Sequence, residues 1–136
     1  MKNLLLLTRD PLQMKEFREA ARDLPGLKLE HEATSTKAAV DAIRKEPVDI
    51  LVADLFLGDS SGLDFLKTLK KINERLTFIL VTRVKDRALV DRAFRFGAAD
   101  VLPYPLGKDT LRETLKHRLH WISHTAAQLQ QQAKEE

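Results

Sequence analysis

The stretch Val48-Asp49-Ile50-Leu51-Val52-Ala53-Asp54 decides the fold, because it joins a short apolar run directly to a carboxylate. A run of this length is typical of a strand that is covered on both faces, as in a parallel sheet. Two further runs have the same form: Leu4 to Leu7 is followed by Thr8, and Thr77 to Thr82 ends in a threonine. The sequence therefore predicts that several polar side chains meet at one edge of a parallel sheet.

Helical patterns separate the predicted strands. Asp10-Pro11 predicts an N-cap followed by proline at the first helical position, and Gly97 predicts the end of a helix. The predicted strands are 4–7, 27–33, 48–53, 77–82 and 99–102, and helices follow them from near residues 10, 35, 63, 86 and 108. This alternation predicts one doubly wound α/β domain with a five-stranded parallel sheet. Its candidate site residues follow the strands: Thr8, Arg9, Asp10, Asp54, Thr82, Arg83 and Tyr104.

Composition narrows the class of protein. The chain has 136 residues, of which 43% are apolar and 32% charged, as expected for one soluble globular domain. No apolar stretch is long enough for a membrane span, and the leucine run is too short for a secretory signal, so we expect a cytoplasmic protein. The absence of cysteine excludes disulfides and thiolate metal sites. The net charge is only +3, and the basic residues are interleaved with acids through most of the chain. This distribution argues against nucleic-acid binding.

Residues 2 to about 120 resemble the receiver domain of two-component response regulators. The resemblance rests on Asp54 after an apolar third strand, Gly62 eight residues later, Thr82 at the end of the fourth strand, and the segment 93–105. It implies a flavodoxin-like (βα)5 receiver fold and a signalling module that is not an enzyme. In that family the third-strand aspartate is phosphorylated by a partner histidine kinase, so the resemblance makes Asp54 the candidate phosphoacceptor.

The chain departs from the family at several pocket positions. Receivers place an acidic pair after the first strand to bind Mg²⁺, and a lysine before a proline to pair with the phosphoryl group. Here Thr8 and Arg9 stand in place of the acidic pair, and Tyr104 stands in place of the lysine. Thr82 is kept, but Arg83 follows it where the family prefers a small residue. Because Mg²⁺ is held mainly by carboxylates and water, we expect no metal or other cofactor. The remaining weak candidates for metal ligands are Asp10 and Asp54.

Asp10 and the two arginines each allow two interpretations. Asp10 precedes Pro11 and is favoured as a helix cap, although a shifted turn would bring it into the pocket. One guanidinium, that of Arg9 before that of Arg83, is predicted to form an ion pair with Asp54 in place of the metal. In the other interpretation both arginines point into solvent.

Two functional hypotheses follow. The first is a degenerate pseudo-receiver that acts through protein–protein contacts and independently of phosphorylation. The alternative is a working Mg²⁺-dependent receiver that accepts a phosphoryl group from a histidine kinase at Asp54. Nucleotide binding is disfavoured, because no glycine-rich phosphate loop follows the first or third strand.

The C-terminal part predicts a helix longer than a receiver needs. From Leu119 to Ala133, apolar residues alternate steps of three and four over about two heptads, as in a coiled-coil seam. We therefore divide the chain into a receiver-like domain, 1–120, and a helical extension, 121–136. The extension is either a connector to an output domain absent from this sequence or a frayed helix end.

Surface charge predicts where partners bind. Basic residues of the fourth and fifth helices form a predicted positive face with the fifth strand: Arg87, Arg92, Arg95, Arg112, Lys116, His117 and Arg118. Such a face favours an acidic signalling protein, the chain's own output domain, or a second copy in a homodimer. The last predicted helix carries three histidines, His117, His120 and His124. Because no carboxylate lies at a suitable step, we expect them to be exposed or interfacial rather than a metal site.

Overall fold

A computed structural model describes residues 1–55, 62–83, 86–107 and 109–120. The strands in this part are β1 (Lys2–Leu7), β2 (Leu27–Ala33), β3 (Ile50–Asp54), β4 (Thr77–Thr82) and β5 (Asp100–Pro103). The helices are α1 (Pro11–Ala21), α2 (Thr36–Lys45), α3 (Gly62–Ile72), α4 (Arg87–Arg95) and α5, residues 109–120. The predicted extension 121–136, with its coiled-coil seam and His124, lies outside the described residues.

The five strands form one parallel sheet in the order β2-β1-β3-β4-β5. Both β1 and β4 pair with β3, so the carboxyl ends of three neighbouring strands lie side by side. Thr8, Asp54 and Thr82 are therefore neighbours at this edge of the sheet. The topology confirms the predicted doubly wound α/β fold.

Side-chain alternation along the strands divides the core into two layers. Leu4 and Leu6 face a cluster with α1 and α5, whereas Leu5 and Leu7 face a cluster with α2 and α3. All four leucines are fully buried. Burying each such side chain is worth about 1.5–3 kcal/mol, so the apolar run anchors β1 in the centre of the molecule.

Helix boundaries follow the predicted capping residues. Asp10 caps α1 by accepting a hydrogen bond from the Leu12 amide at 3.0 Å. Ser35 and Asp86 cap α2 and α4 in the same way. Three strands differ slightly from prediction, since β1 begins at Lys2, β3 at Ile50 and β5 at Asp100. Among the described residues, no helix combines the length and the apolarity needed to cross a membrane.

Candidate functional site

The Thr8 hydroxyl joins the turn after β1 to the end of β3. These residues belong to what we call the carboxyl-end pocket: Thr8, Asp10, Asp54, Thr82, Arg83 and Tyr104. The Oγ1 of Thr8 donates a hydrogen bond to Oδ2 of Asp54 at 3.3 Å and accepts one from the backbone amide of Asp10 at 3.2 Å. Thr8 is buried and directly follows β1, in the turn that leads into α1. A neutral hydroxyl thus contacts Asp54 where the family resemblance implies a carboxylate. The sequence predicted that Thr8 lies at this edge of the sheet, and the structure adds its hydrogen bond to Asp54.

Arg83 crosses the mouth of the pocket. Its Nη2 lies 3.3 Å from Oδ2 of Asp10, and its Cζ lies 4.0 Å from the centroid of the Tyr104 ring. The side chains of Arg83 and Asp10 are 54% and 36% exposed, so the ion pair is worth at most about 1 kcal/mol. The contact with the ring is worth about 0.5–1 kcal/mol at such an exposed position. Together they connect the turn after β1 with the turn after β5.

The backbone holds Tyr104 in this position. Its amide donates to the carbonyl of Thr82 at 2.8 Å, which continues the pairing of β4 with β5 by one residue. The Tyr104–Pro105 peptide bond is cis. Thr82 itself is buried, at the position predicted for it.

The placement of the arginines corrects one sequence prediction. Arg9 is exposed, and the expected ion pair between Arg9 and Asp54 is not among the contacts that the structure describes for Arg9. Thr8 is buried and Arg9 is exposed, so the bend after β1 directs the Arg9 side chain away from the pocket. Arg83 pairs with Asp10 instead of Asp54. Asp10 is the helix cap that was favoured, and its second oxygen also receives Arg83.

This set of donors fits a divalent cation poorly. Asp54 offers a carboxylate and Thr8 a neutral hydroxyl, while both oxygens of Asp10 are already hydrogen-bonded. Mg²⁺ would have to displace the helix cap or the Arg83 guanidinium to use Asp10 as a ligand. The pocket can still present Asp54 to a reagent or to a protein side chain, since that carboxylate is only partly buried.

Two members of the predicted positive face, Arg118 and Arg112, have partners in other elements of the described domain. Arg118 forms a bidentate pair with Asp100, with N–O distances of 2.6 and 3.0 Å, and this pairing raises the pKa of Arg118. Arg112 donates to the carbonyls of Ala20 and Arg22. The sequence interpretation missed these contacts because they join residues that are far apart in the chain. The exposed basic residues of this face are Arg87, Arg92, Arg95, Lys116 and His117.

Residues 5–116 match the family model of the response regulator receiver domain. The chain belongs to this family. The receiver is 24% identical over 105 residues to the transcriptional regulatory protein MalR of Bacillus subtilis (strain 168), covering 77% of this chain and 45% of MalR. It is 29% identical over 97 residues to the transcriptional regulatory protein ZraR of Salmonella typhimurium, covering 71% of this chain and 22% of ZraR. It thus spans less than half of either relative.

Solved structures confirm the fold of the receiver. A CheY-like response regulator receiver domain protein from Methanospirillum hungatei JF-1 superposes with a TM-score of 0.82. The superposition covers 92% of this chain and 98% of that one, at 19% sequence identity. At this level of identity the likeness concerns the fold, and the pocket has to be interpreted from its own residues.

Proposed function

We propose that this receiver works as an interaction module whose state is not set by phosphoryl transfer to Asp54. The observation that carries the proposal is the use of Asp10, the first carboxylate in the chain after β1, as both a helix cap and the partner of Arg83. Phosphoryl transfer depends on cations that neutralise charge on the phosphoryl oxygens. A pocket that uses its second carboxylate internally is poorly prepared to hold such a cation.

Energetics support the same proposal. Releasing Asp10 for a metal would remove an N-cap, at about 0.5–2 kcal/mol, besides the contact with Arg83. The Arg83 guanidinium is permanently charged and lies beside the position that a cation would need. Both terms oppose metal binding, and the contacts of Arg83 also keep the turns after β1 and β5 together.

The surface offers a way to act without phosphorylation. The exposed side of α4 carries Arg87, Arg92 and Arg95 together with the single acid Asp91, and Phe94 among them is 48% exposed. A basic surface with an apolar centre suits an acidic signalling protein or an acidic surface of an output domain. We therefore assign partner binding to α4 and the adjoining part of the domain.

The second candidate function is the working Mg²⁺-dependent phosphoacceptor. It is favoured by the placement of Asp54 and Thr82 at the ends of adjacent strands, as in a receiver that accepts phosphate. In that case a histidine kinase would be the partner, and Mg²⁺ would have to bind through Asp54 and the Thr8 hydroxyl.

Beryllium fluoride, a phosphoryl mimic, separates the two candidates. We expect amide spectra of the ¹⁵N-labelled chain to stay the same when Mg²⁺ and beryllium fluoride are added, both in the unmodified chain and in Asp54→Asn. The matched control is the double variant Thr8→Asp, Arg9→Asp, which restores the acidic pair and should respond. Shifts at Thr8, Thr82 and Tyr104 that occur in the unmodified chain and vanish in Asp54→Asn would refute the proposal.

A further inference from the structure

A break in the pairing of β1 with β2 brings two neighbouring side chains to one face of the sheet. Leu4 pairs with Leu29, but Leu5 pairs with His31, so Glu30 is an extra residue in β2. A bulge of this kind shifts the alternation of a strand by one position. Glu30 and His31, which would point to opposite faces in a regular strand, therefore both point to the same face.

The packing of the other β2 residues confirms this change of face. Before the bulge, Leu27 and Leu29 pack in the cluster that contains α1, whereas after it Ala33 packs in the cluster that contains α2. Glu32 points to the α1 side, where it forms an ion pair with Arg18. The α2 side is thus the side that Glu30 and His31 share.

The end of α2 supplies a third ligand atom. Glu46, the C-cap of α2, lies with its Oε2 3.1 Å from Nε2 of His31. One ligand atom from each of Glu30, His31 and Glu46 lies within 4.8 Å of the other two. We call these three residues the β2–α2 cluster. Zinc lies about 2.0–2.2 Å from imidazole nitrogen and carboxylate oxygen, so small side-chain rotations would place all three ligand atoms around one ion.

We propose that the β2–α2 cluster is a binding site for a divalent transition metal, with Zn²⁺ preferred. An imidazole with two carboxylates suits a borderline ion such as Zn²⁺, whereas Mg²⁺ prefers oxygen ligands alone. Two carboxylates also balance the charge of the ion. The side chains of Glu30, His31 and Glu46 are 21%, 32% and 45% exposed, which leaves room for water as a fourth ligand.

Lys28 is the internal competitor for this site. Its Nζ lies 3.1 Å from Oε2 of Glu30, on the same face of β2. Lys28 is 59% exposed, so a bound ion can displace its ammonium group into solvent at little cost.

An ion bound here would connect the edge strand β2 to the end of α2. Glu46 precedes β3 and Asp54 ends it, so this site is separate from the carboxyl-end pocket and does not depend on the proposed function.

Zinc titration of the whole chain tests the site. We expect the imidazole nitrogens of His31 to shift saturably in ¹H–¹⁵N spectra as zinc chloride is added. Glu46→Gln and Glu30→Gln should each raise the Kd at least about tenfold, since even outer partners of metal ligands are typically worth roughly 10- to 100-fold. Glu32→Gln, on the other face of β2, is the matched control and should leave the Kd unchanged.

Histidines of the last helix are a possible second source of zinc binding, so the titration follows His31 directly. A His31 signal that stays in place while those of His117 and His120 move would overturn the proposal. An unchanged Kd in both Glu46→Gln and Glu30→Gln would do the same. Dispersed amide spectra of each variant verify that it is folded, so that a loss of binding reports the site.

Discussion

The carboxyl-end pocket and the β2–α2 cluster surround their carboxylates with different groups. In the pocket, Asp54 and Asp10 receive hydrogen bonds from a hydroxyl, a backbone amide and a guanidinium. In the cluster, Glu30 and Glu46 lie beside an imidazole that offers a lone pair when neutral, and Glu30 also pairs with the exposed Lys28. We infer from the difference that the place of a carboxylate in the fold does not determine whether it can bind a cation. The neighbouring donors and acceptors do.

The largest expected effect comes from adding a carboxylate to the pocket beside Asp54. Thr8→Asp would place a buried charge next to Asp54, and we expect it to lower the free energy of unfolding by about 3 kcal/mol without a cation. Mg²⁺ should recover most of this loss, because it binds only the folded state. Urea unfolding with and without magnesium measures both effects. An equal gain in unfolding free energy on adding magnesium to the unmodified chain and to Thr8→Asp would contradict this prediction.

A smaller loss is expected when the Thr8 hydroxyl is removed without adding charge. Thr8→Val keeps the shape of the side chain but leaves the Asp10 amide and one oxygen of Asp54 without this partner, at about 1–3 kcal/mol. Thr68→Val is the control, since the Thr68 hydroxyl is exposed on α3 and bonds to the Asp64 carbonyl. Equal unfolding midpoints for the two variants would show that the Thr8 hydroxyl contributes little.

Arg83→Met tests the bridge across the pocket mouth. It removes the ion pair with Asp10 and the contact with the Tyr104 ring, and we expect a loss of about 1 kcal/mol. Arg9→Met, one residue from Asp10 but exposed, should change stability by less than about 0.5 kcal/mol. Thermal unfolding compares the pair. A larger loss in Arg9→Met would restore Arg9 as the partner of the pocket.

The smallest effect concerns Glu32, the carboxylate of β2 on the α1 side. The hydrogen bond from Arg18 lowers the pKa of Glu32, so this pair stabilises the folded state above the ordinary glutamate pKa of about 4.3. The contribution is lost as the pH falls through the lower pKa of the folded state. Arg18→Met should therefore flatten the acid side of the stability curve slightly, as measured by urea unfolding between neutral and acidic pH. A curve that matches that of the unmodified chain would show that the pair is fully screened.

The fold was predictable because its signals are local. Apolar runs such as Leu4 to Leu7 predict buried strands, and Asp10-Pro11 predicts both a cap and a helix start. The structure confirms these elements to within about two residues.

The contacts of the arginines were predicted less well. The sequence shows that Arg9 and Arg83 follow strands, but not in which direction each side chain points. The bend after β1 directs Arg9 outward, and Arg83 reaches Asp10 across the sheet edge, 73 positions away in the chain. Contacts of this kind depend on tertiary packing, which residue spacing does not encode.

The β2–α2 cluster could not be read from the sequence at all. Leu27, Leu29 and Ala33 all occupy odd positions, as if β2 alternated regularly, and that pattern puts Glu30 and His31 on opposite faces. The bulge at Glu30 reverses this relation without changing the apolar pattern. The histidines with a recognisable helical spacing lie on the last helix instead.

A crystal structure of the chain grown with excess magnesium tests the central claim about the pocket most directly. We predict that the Thr8 hydroxyl stays on Asp54 and that Arg83 stays paired with Asp10, with no magnesium bound to either carboxylate. A magnesium ion bound to Asp54, with Asp10 turned toward it and Arg83 displaced into solvent, would contradict the account.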